Sequence, residues 1–150
     1  MLHEESLGPH EIHLERWIEC APFEQLLGMD IVRAEDGEAI LTMPFRRQYA
    51  NGGSIMHGGA TVSLADTAAV MALKSKVEPG THFGTTDMAI RFLHPVIQGM
   101  ITAKARVEQQ EERLWHARVE IVTEADVVAM EMTAVFKISR RRLTTVAEGR

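Results

Sequence analysis

Cysteine is almost missing from this chain: Cys20 stands alone, so no internal disulfide is available, and its neighbours show no metal-ligand spacing. Long apolar runs are missing too. The longest, Ala60 to Leu73, is interrupted by Thr61, Ser63, Asp66 and Thr67, and falls short of the roughly 20 residues needed to cross a bilayer. The first residues, Met1-Leu-His-Glu-Glu-Ser, are acidic and lack an apolar centre, so no secretory signal is expected and a reducing, cytoplasmic setting follows as the default. An excess of positive charge is also lacking. With 16 basic against 21 acidic residues the net charge is −5, which argues against a dedicated nucleic-acid binder. Repeats, low-complexity stretches and shifts of composition are absent, and 150 residues at 45% hydrophobic content suit one domain with a sizeable core.

What basic character exists is clustered, at Arg46-Arg47 and at Arg140-Arg141-Arg142. Such clusters are ordinarily solvated loop and tail; the sharper alternative is local phosphate binding on an acidic protein.

Along the chain, residues up to about His13 read as a loose leader. Leu14 to Cys20 and Pro22 to Gly28 read as short helical turns, Pro22 suiting a first helical turn and Gly28 a stop. Two strands are expected, Met29 to Ala34 and Glu38 to Phe45, about a Glu35-Asp36-Gly37 turn, followed by a glycine-bearing loop from Arg46 to Met56. His57 to about Ser75 is the one long helix; having no polar face, it is expected to be buried on all sides. Four strands follow, near His82–Leu93, Met100–Gln109, Leu114–Thr123 and Val127–Ile138. Every second residue is apolar in Ile101-Thr-Ala-Lys-Ala-Arg-Val and Trp115-His-Ala-Arg-Val-Glu-Ile, the mark of a sheet with one wet face. The three links between these strands look hairpin-like, so the strands are expected to be antiparallel neighbours. The fold class is therefore α+β, an antiparallel sheet wrapped around one long helix, with residues 1–24 as leader and short helix, 25–139 as the domain and 140–150 as a basic tail.

Chemistry concentrates where Asn51-Gly-Gly-Ser-Ile-Met-His57-Gly58-Gly59 enters the long helix. A helix start offers unpaired N–H groups and positive dipole to a carbonyl oxygen or anion. Farther along the same helix, Asp66 is the one charge in an apolar run. Burial would raise the pKa of such an acid, which suits a general base near neutrality. Gly58 is the candidate oxyanion donor through its N–H, although a glycine here also suits a turn of positive φ. His57 is expected to cap the helix, fix the loop or position a carbonyl. Asn51 either orients water, holds Asp66, or acts as the turn residue of Asn-Gly. Thr85 or Thr86 would bond water or the acid from the following strand. The eight residues from Gly58 to Asp66 correspond to about 12 Å of helix rise, too far for both groups to reach one bond. Two helices from two subunits, paired so that Gly58 of one faces Asp66 of the other, would close that distance. His82, His94 and His116 lie at no ligand spacing, so no metal is expected. Met43, Met56, Met71, Met88 and Met100 are expected as adaptable core or tunnel lining.

Asn51, His57-Gly58-Gly59, Leu64-Ala65-Asp66, Thr85-Thr86-Asp87-Met88 and Phe92 through Pro95 together resemble the PaaI-like thioesterases of the hotdog fold, over about residues 25 to 139. Ser54 stands where relatives often have glycine, and Thr85 where some have serine. The resemblance implies hydrolysis of an acyl-CoA to a free acid and CoA, with an aryl-acetyl or medium-chain acyl group and no cofactor beyond the CoA of the substrate. It implies Asp66, Gly58, His57, Asn51 and Thr85 as the catalytic set, and Gly59, Thr86 and Phe92 beside the substrate. From the layout of that fold, Arg113, Lys137 and Arg140 are expected near the CoA phosphates. A dimer, or a homotetramer built as a dimer of dimers, is likewise implied. Two alternatives remain at this point: a hydratase or dehydratase on the same fold, and a non-catalytic acyl-CoA-binding domain.

Overall fold

The computed structural model describes residues 6–140, and the arginine pair Arg141-Arg142 lies outside them. A short helix α1 (Pro22–Leu26) precedes a hairpin of β1 (Asp30–Glu35) and β2 (Glu38–Pro44); the long helix α2 (Gly58–Lys74) comes next. Four strands complete the fold, β3 (Phe83–Phe92), β4 (Met100–Glu111), β5 (Leu114–Val122) and β6 (Val128–Ile138). All pairings are antiparallel, and the six-stranded sheet has the order β1-β2-β4-β5-β6-β3.

Local chemistry explains most of these boundaries. Asp36 and Gly37 both adopt positive φ, 52° and 80°, the two-residue turn whose twist matches flanking strands. Pro22 opens α1, and Gly28 follows it at φ 70°. His57 and Ser75 are the caps of α2. The expected alternation holds: Ile101, Ala103, Ala105 and Val107 of β4, and Trp115, Ala117, Val119 and Ile121 of β5, are buried. Their neighbours Lys104, Arg106, His116, Arg118 and Glu120 face solvent. Leu64, Ala65, Ala68, Ala69, Ala72 and Leu73 of α2 pack on this apolar face, chiefly against β2, β4 and β5.

Four expectations are corrected. First, β3 and β4 are not neighbours: β3 pairs with β6 at the sheet's edge, and β4 with β2. The link between them is no hairpin because its backbone is spent elsewhere, with Met56 N–H donating to Val96, Phe45 N–H to Gly99 and Leu93 N–H to Ala129. It carries the chain from one edge to the sheet's middle. Second, Leu14 to Cys20 forms bends, not a helical turn. Trp17 there is committed to the end of α2: its Nε1 donates to the Lys74 carbonyl at 3.0 Å and Lys74 Nζ donates back to the Trp17 carbonyl at 3.0 Å. The Lys74 ammonium also lies 4.6 Å from the Trp17 ring centroid.

Third, α2 is not buried all round. Gly59, Val62, Ser63, Asp66, Thr67 and Val70 form a stripe that is open or half-open in the single chain, while the opposite side is buried. These positions recur at three- and four-residue steps, so they share one face. Fourth, Met43, Met56 and Met71 are core, whereas Met88 and Met100 are exposed. Met88 lies on β3, whose outer edge has no pairing partner among the described residues.

Candidate active site

At the start of α2 the two glycines have different tasks. The Gly59 N–H donates to His57 Nδ1 at 2.8 Å, so His57 caps the helix, and this acceptor role leaves its ring proton on Nε2. A Cβ on Gly59 would lie 2.9 Å from that same nitrogen and would break the cap, worth about 1 kcal/mol. The Gly58 N–H is different: no hydrogen bond engages it among the described residues. Gly58 is also not in the positive-φ region, so it is glycine for space rather than for backbone freedom. A Cβ there would stand 3.2 Å from Cε1 and Cζ of the Phe92 ring.

Gly58 lines a cleft of about 340 Å³. Its walls are mostly apolar, built from Ile55, Met56, Phe92, Leu93 and Val96, with Asn51, Thr61 and His94 as polar members. Phe92 is 61% exposed, so one wall of this cleft borders solvent. A donor at a helix N-terminus beside an apolar trough is suited to polarising a carbonyl whose substituent lies in the trough.

Asn51 is a loop organiser. Its Oδ1 accepts from the N–H of Gly53 at 2.8 Å and of Ile55 at 3.3 Å, and it makes no hydrogen bond to Asp66 within the chain. That arrangement is an Asx turn, and it holds Ser54 at φ 67°. The side-chain amide nitrogen of Asn51 remains as its donor.

Asp66 lies two turns along α2 and does not line the cleft. Thr85 Oγ1, from β3, donates to Asp66 Oδ1 at 3.1 Å. Burial pushes the Asp66 carboxyl up from its ordinary value, and the Thr85 hydrogen bond opposes part of that rise. Thr86 has another use: it sits at a register shift in β3, and its hydroxyl donates to the Val135 carbonyl at 3.3 Å. The Arg113 guanidinium donates to the Ile138 carbonyl at 3.3 Å and so ties the β4–β5 turn to the end of β6. Lys137 pairs with Gly84 in register, and Arg140 lies two residues beyond the end of β6. Arg113, Lys137 and Arg140 thus stand at the Thr85 end of β3, and Gly58 at the Phe92 end. One chain does not bring them together.

Sequence reasoning did not single out the aliphatic lining from Ile55, Leu93 and Val96, because nothing local tells a cleft wall from core. It also missed that Tyr49, buried at 9% exposure, anchors the loop, its hydroxyl donating to the Leu26 carbonyl at 3.1 Å.

The thioesterase superfamily profile matches residues 53–130, just over half of the chain. The chain belongs to that family. It is 36% identical over 99 residues to the acyl-coenzyme A thioesterase PaaI of Escherichia coli, covering 65% of this chain and 69% of that protein. It is 31% identical over 105 residues to the human acyl-coenzyme A thioesterase 13, covering 69% and 74% respectively. Among solved structures, the E. coli PaaI protein from the phenylacetic acid degradation operon superposes with a TM-score of 0.73 at 30% identity, covering 80% of this chain and 86% of that one. The fold is the hotdog fold of PaaI-like thioesterases, and the protein is a thioester hydrolase.

Proposed function

We propose that this thioester hydrolase acts on acyl-CoA and that each active site is shared between two copies of the chain. The free Gly58 N–H takes the thioester oxygen, and the acyl substituent lies along the cleft beside Phe92. Asp66 of the second copy takes a proton from water, whose oxygen bonds to the carbonyl carbon. Collapse of the tetrahedral species breaks the C–S bond, releasing the carboxylic acid and the CoA thiolate, which takes up the proton. A carboxyl whose proton affinity burial has raised is the better base at neutral pH. Asn51 offers its amide to the water, and His57 fixes the loop and helix start. Gly59 and Phe92 flank the substrate. Thr86 acts through the shape of β3. Arg113, Lys137 and Arg140 of the second copy approach the CoA phosphates.

The observation that carries this reading is a separation: Gly58, whose N–H has no partner among the described residues, lines the cleft, while Asp66 and Thr85 do not. Two further features favour a second copy as the source of the acid. Asp66 lies on the open stripe of α2, and the ten-residue strand β3 beside it has an outer edge left unpaired among the described residues. A twofold pairing of these elements would set each Asp66 near the other chain's Gly58. The reaction needs water and the thioester alone, so we propose no metal or bound cofactor.

A thiol-release assay over aryl-acetyl and alkyl CoA esters, run beside Asp66→Ala, tests the reading. Turnover of at least one ester is expected, with the variant slower by about 10²-fold or more. Absence of turnover across the panel, or an Asp66→Ala protein as fast as its parent, overturns it.

A further inference from the structure

Beside the acyl cleft lies a second concavity of about 390 Å³, lined by Arg47, Ala50, Asn51 and Ser54 and more polar than the first. We infer that it is a phosphate subsite for the nucleotide end of the substrate, with Arg47 as its cation. This rests on the acyl-CoA reading above and extends it to a residue of the chain that supplies Gly58.

The two neighbouring arginines differ sharply in what they touch. Arg46 is occupied: its Nη1 donates to the Tyr49 hydroxyl at 3.3 Å, and its guanidinium packs so closely on Gly28 that a Cβ there would lie 2.9 Å from Nη2. The Arg47 guanidinium makes no hydrogen bond or ion pair among the described residues, and the residue is exposed. A free arginine at the wall of a concavity, on a protein of net charge −5, is a selective landing point for an anion.

Its base is rigid although its side chain is free. The 3₁₀ turn Arg47–Tyr49 is pinned by the Tyr49 hydroxyl on Leu26, by the His57 N–H donating to the Tyr49 carbonyl at 2.7 Å, and by the bridge between Ala50 and Met56. Little backbone order is therefore lost on binding. The guanidinium fork matches two phosphate oxygens at once.

Asn51 lines both concavities, so the acyl cleft and the Arg47 concavity adjoin. An acyl-CoA laid from the Gly58 end past Asn51 would present its thioester, pantetheine and phosphate in turn to a backbone donor, a neutral amide and a cation.

The test compares two thioesters of one acyl group, the CoA ester and the N-acetylcysteamine ester, which has no phosphate. For Arg47→Glu, the KM of the CoA ester is expected to rise about 10- to 100-fold relative to that of the truncated ester. Arg47→Lys should recover part of the loss, and added salt should raise the parent's KM for the CoA ester more steeply than that of Arg47→Ala. Equal shifts for both esters, or no shift for the CoA ester, overturn the assignment. If the parent hydrolyses no CoA ester, the functional reading fails by itself. Calorimetric titration with free CoA then tests the subsite, and equal affinity in the parent and in Arg47→Glu overturns it.

Discussion

Thr85 Oγ1 donates to Asp66 Oδ1 across 3.1 Å, joining the edge strand of the sheet to the open stripe of the central helix. This bond is made to a carboxylate that burial would otherwise keep protonated to higher pH, so it works against the larger effect. The net result is an acid with a raised pKa and a defined orientation.

That raised pKa sets an opposition between stability and activity. The folded state holds the Asp66 proton to higher pH than the unfolded state does. Its contribution to stability is full below the unfolded carboxylate pKa and is lost as pH rises through the folded value. Asp66→Asn keeps the shape and removes the ionisation. At neutral pH the variant is expected to melt at the same temperature as its parent or higher, while kcat falls by about 10²- to 10⁴-fold. Thermal melts at pH 4 and pH 8 check the sign: any advantage of the variant should be larger at pH 8. A variant clearly less stable than the parent at pH 8 contradicts it.

Replacing Thr85 by Val removes the one interaction that draws the Asp66 pKa down. The acidic limb of the pH–rate profile is then expected to move to higher pH. The plateau rate should fall by no more than about tenfold, the scale of one hydrogen bond to a carboxylate. Thr85→Ser should restore the parent profile. An unmoved limb in Thr85→Val, measured on kcat/KM, would show that the ionisation seen in the rate is not that of Asp66.

Shared sites have a stoichiometric signature. Gly58→Leu forces a side chain into the space occupied by the Phe92 ring, and Asp66→Asn removes the proposed base. Each homodimer is expected to be inactive, yet a hybrid retains one site with both native parts. After subunit exchange at equal concentrations, half the dimers are hybrids with one intact site of two, so about a quarter of parental activity should return. No recovery, with exchange verified by mass spectrometry, places both groups in one chain's site or in none.

Much of this architecture was readable residue by residue. The turn at Asp36-Gly37, the ends of α2 near His57 and Ser75, and the alternation in β4 and β5 are written in spacings of a few residues, which the structure reproduces. Asn51, His57, Gly58 and Asp66 stood out in the sequence as candidates, although the single chain leaves Asp66 outside the cleft that Asn51 and Gly58 line. Their separate tasks were not. Nothing in Gly58-Gly59 says that one amide is spent on a cap and the other left open, or that the Phe92 ring from a distant strand fills the space a side chain at position 58 would need.

The sequence by itself determined element type, turn chemistry and the chemical vocabulary of the site, because helix and strand periods and φ preferences act between near neighbours. Tertiary structure alone decided that β3 lies against β6, that Thr85 therefore meets Asp66, and that Arg46 is occupied while Arg47 has no partner among the described residues. Strand order depends on which arrangement buries one face of α2 against the sheet. That burial is a sum over residues far apart in the chain, and no local window contains it.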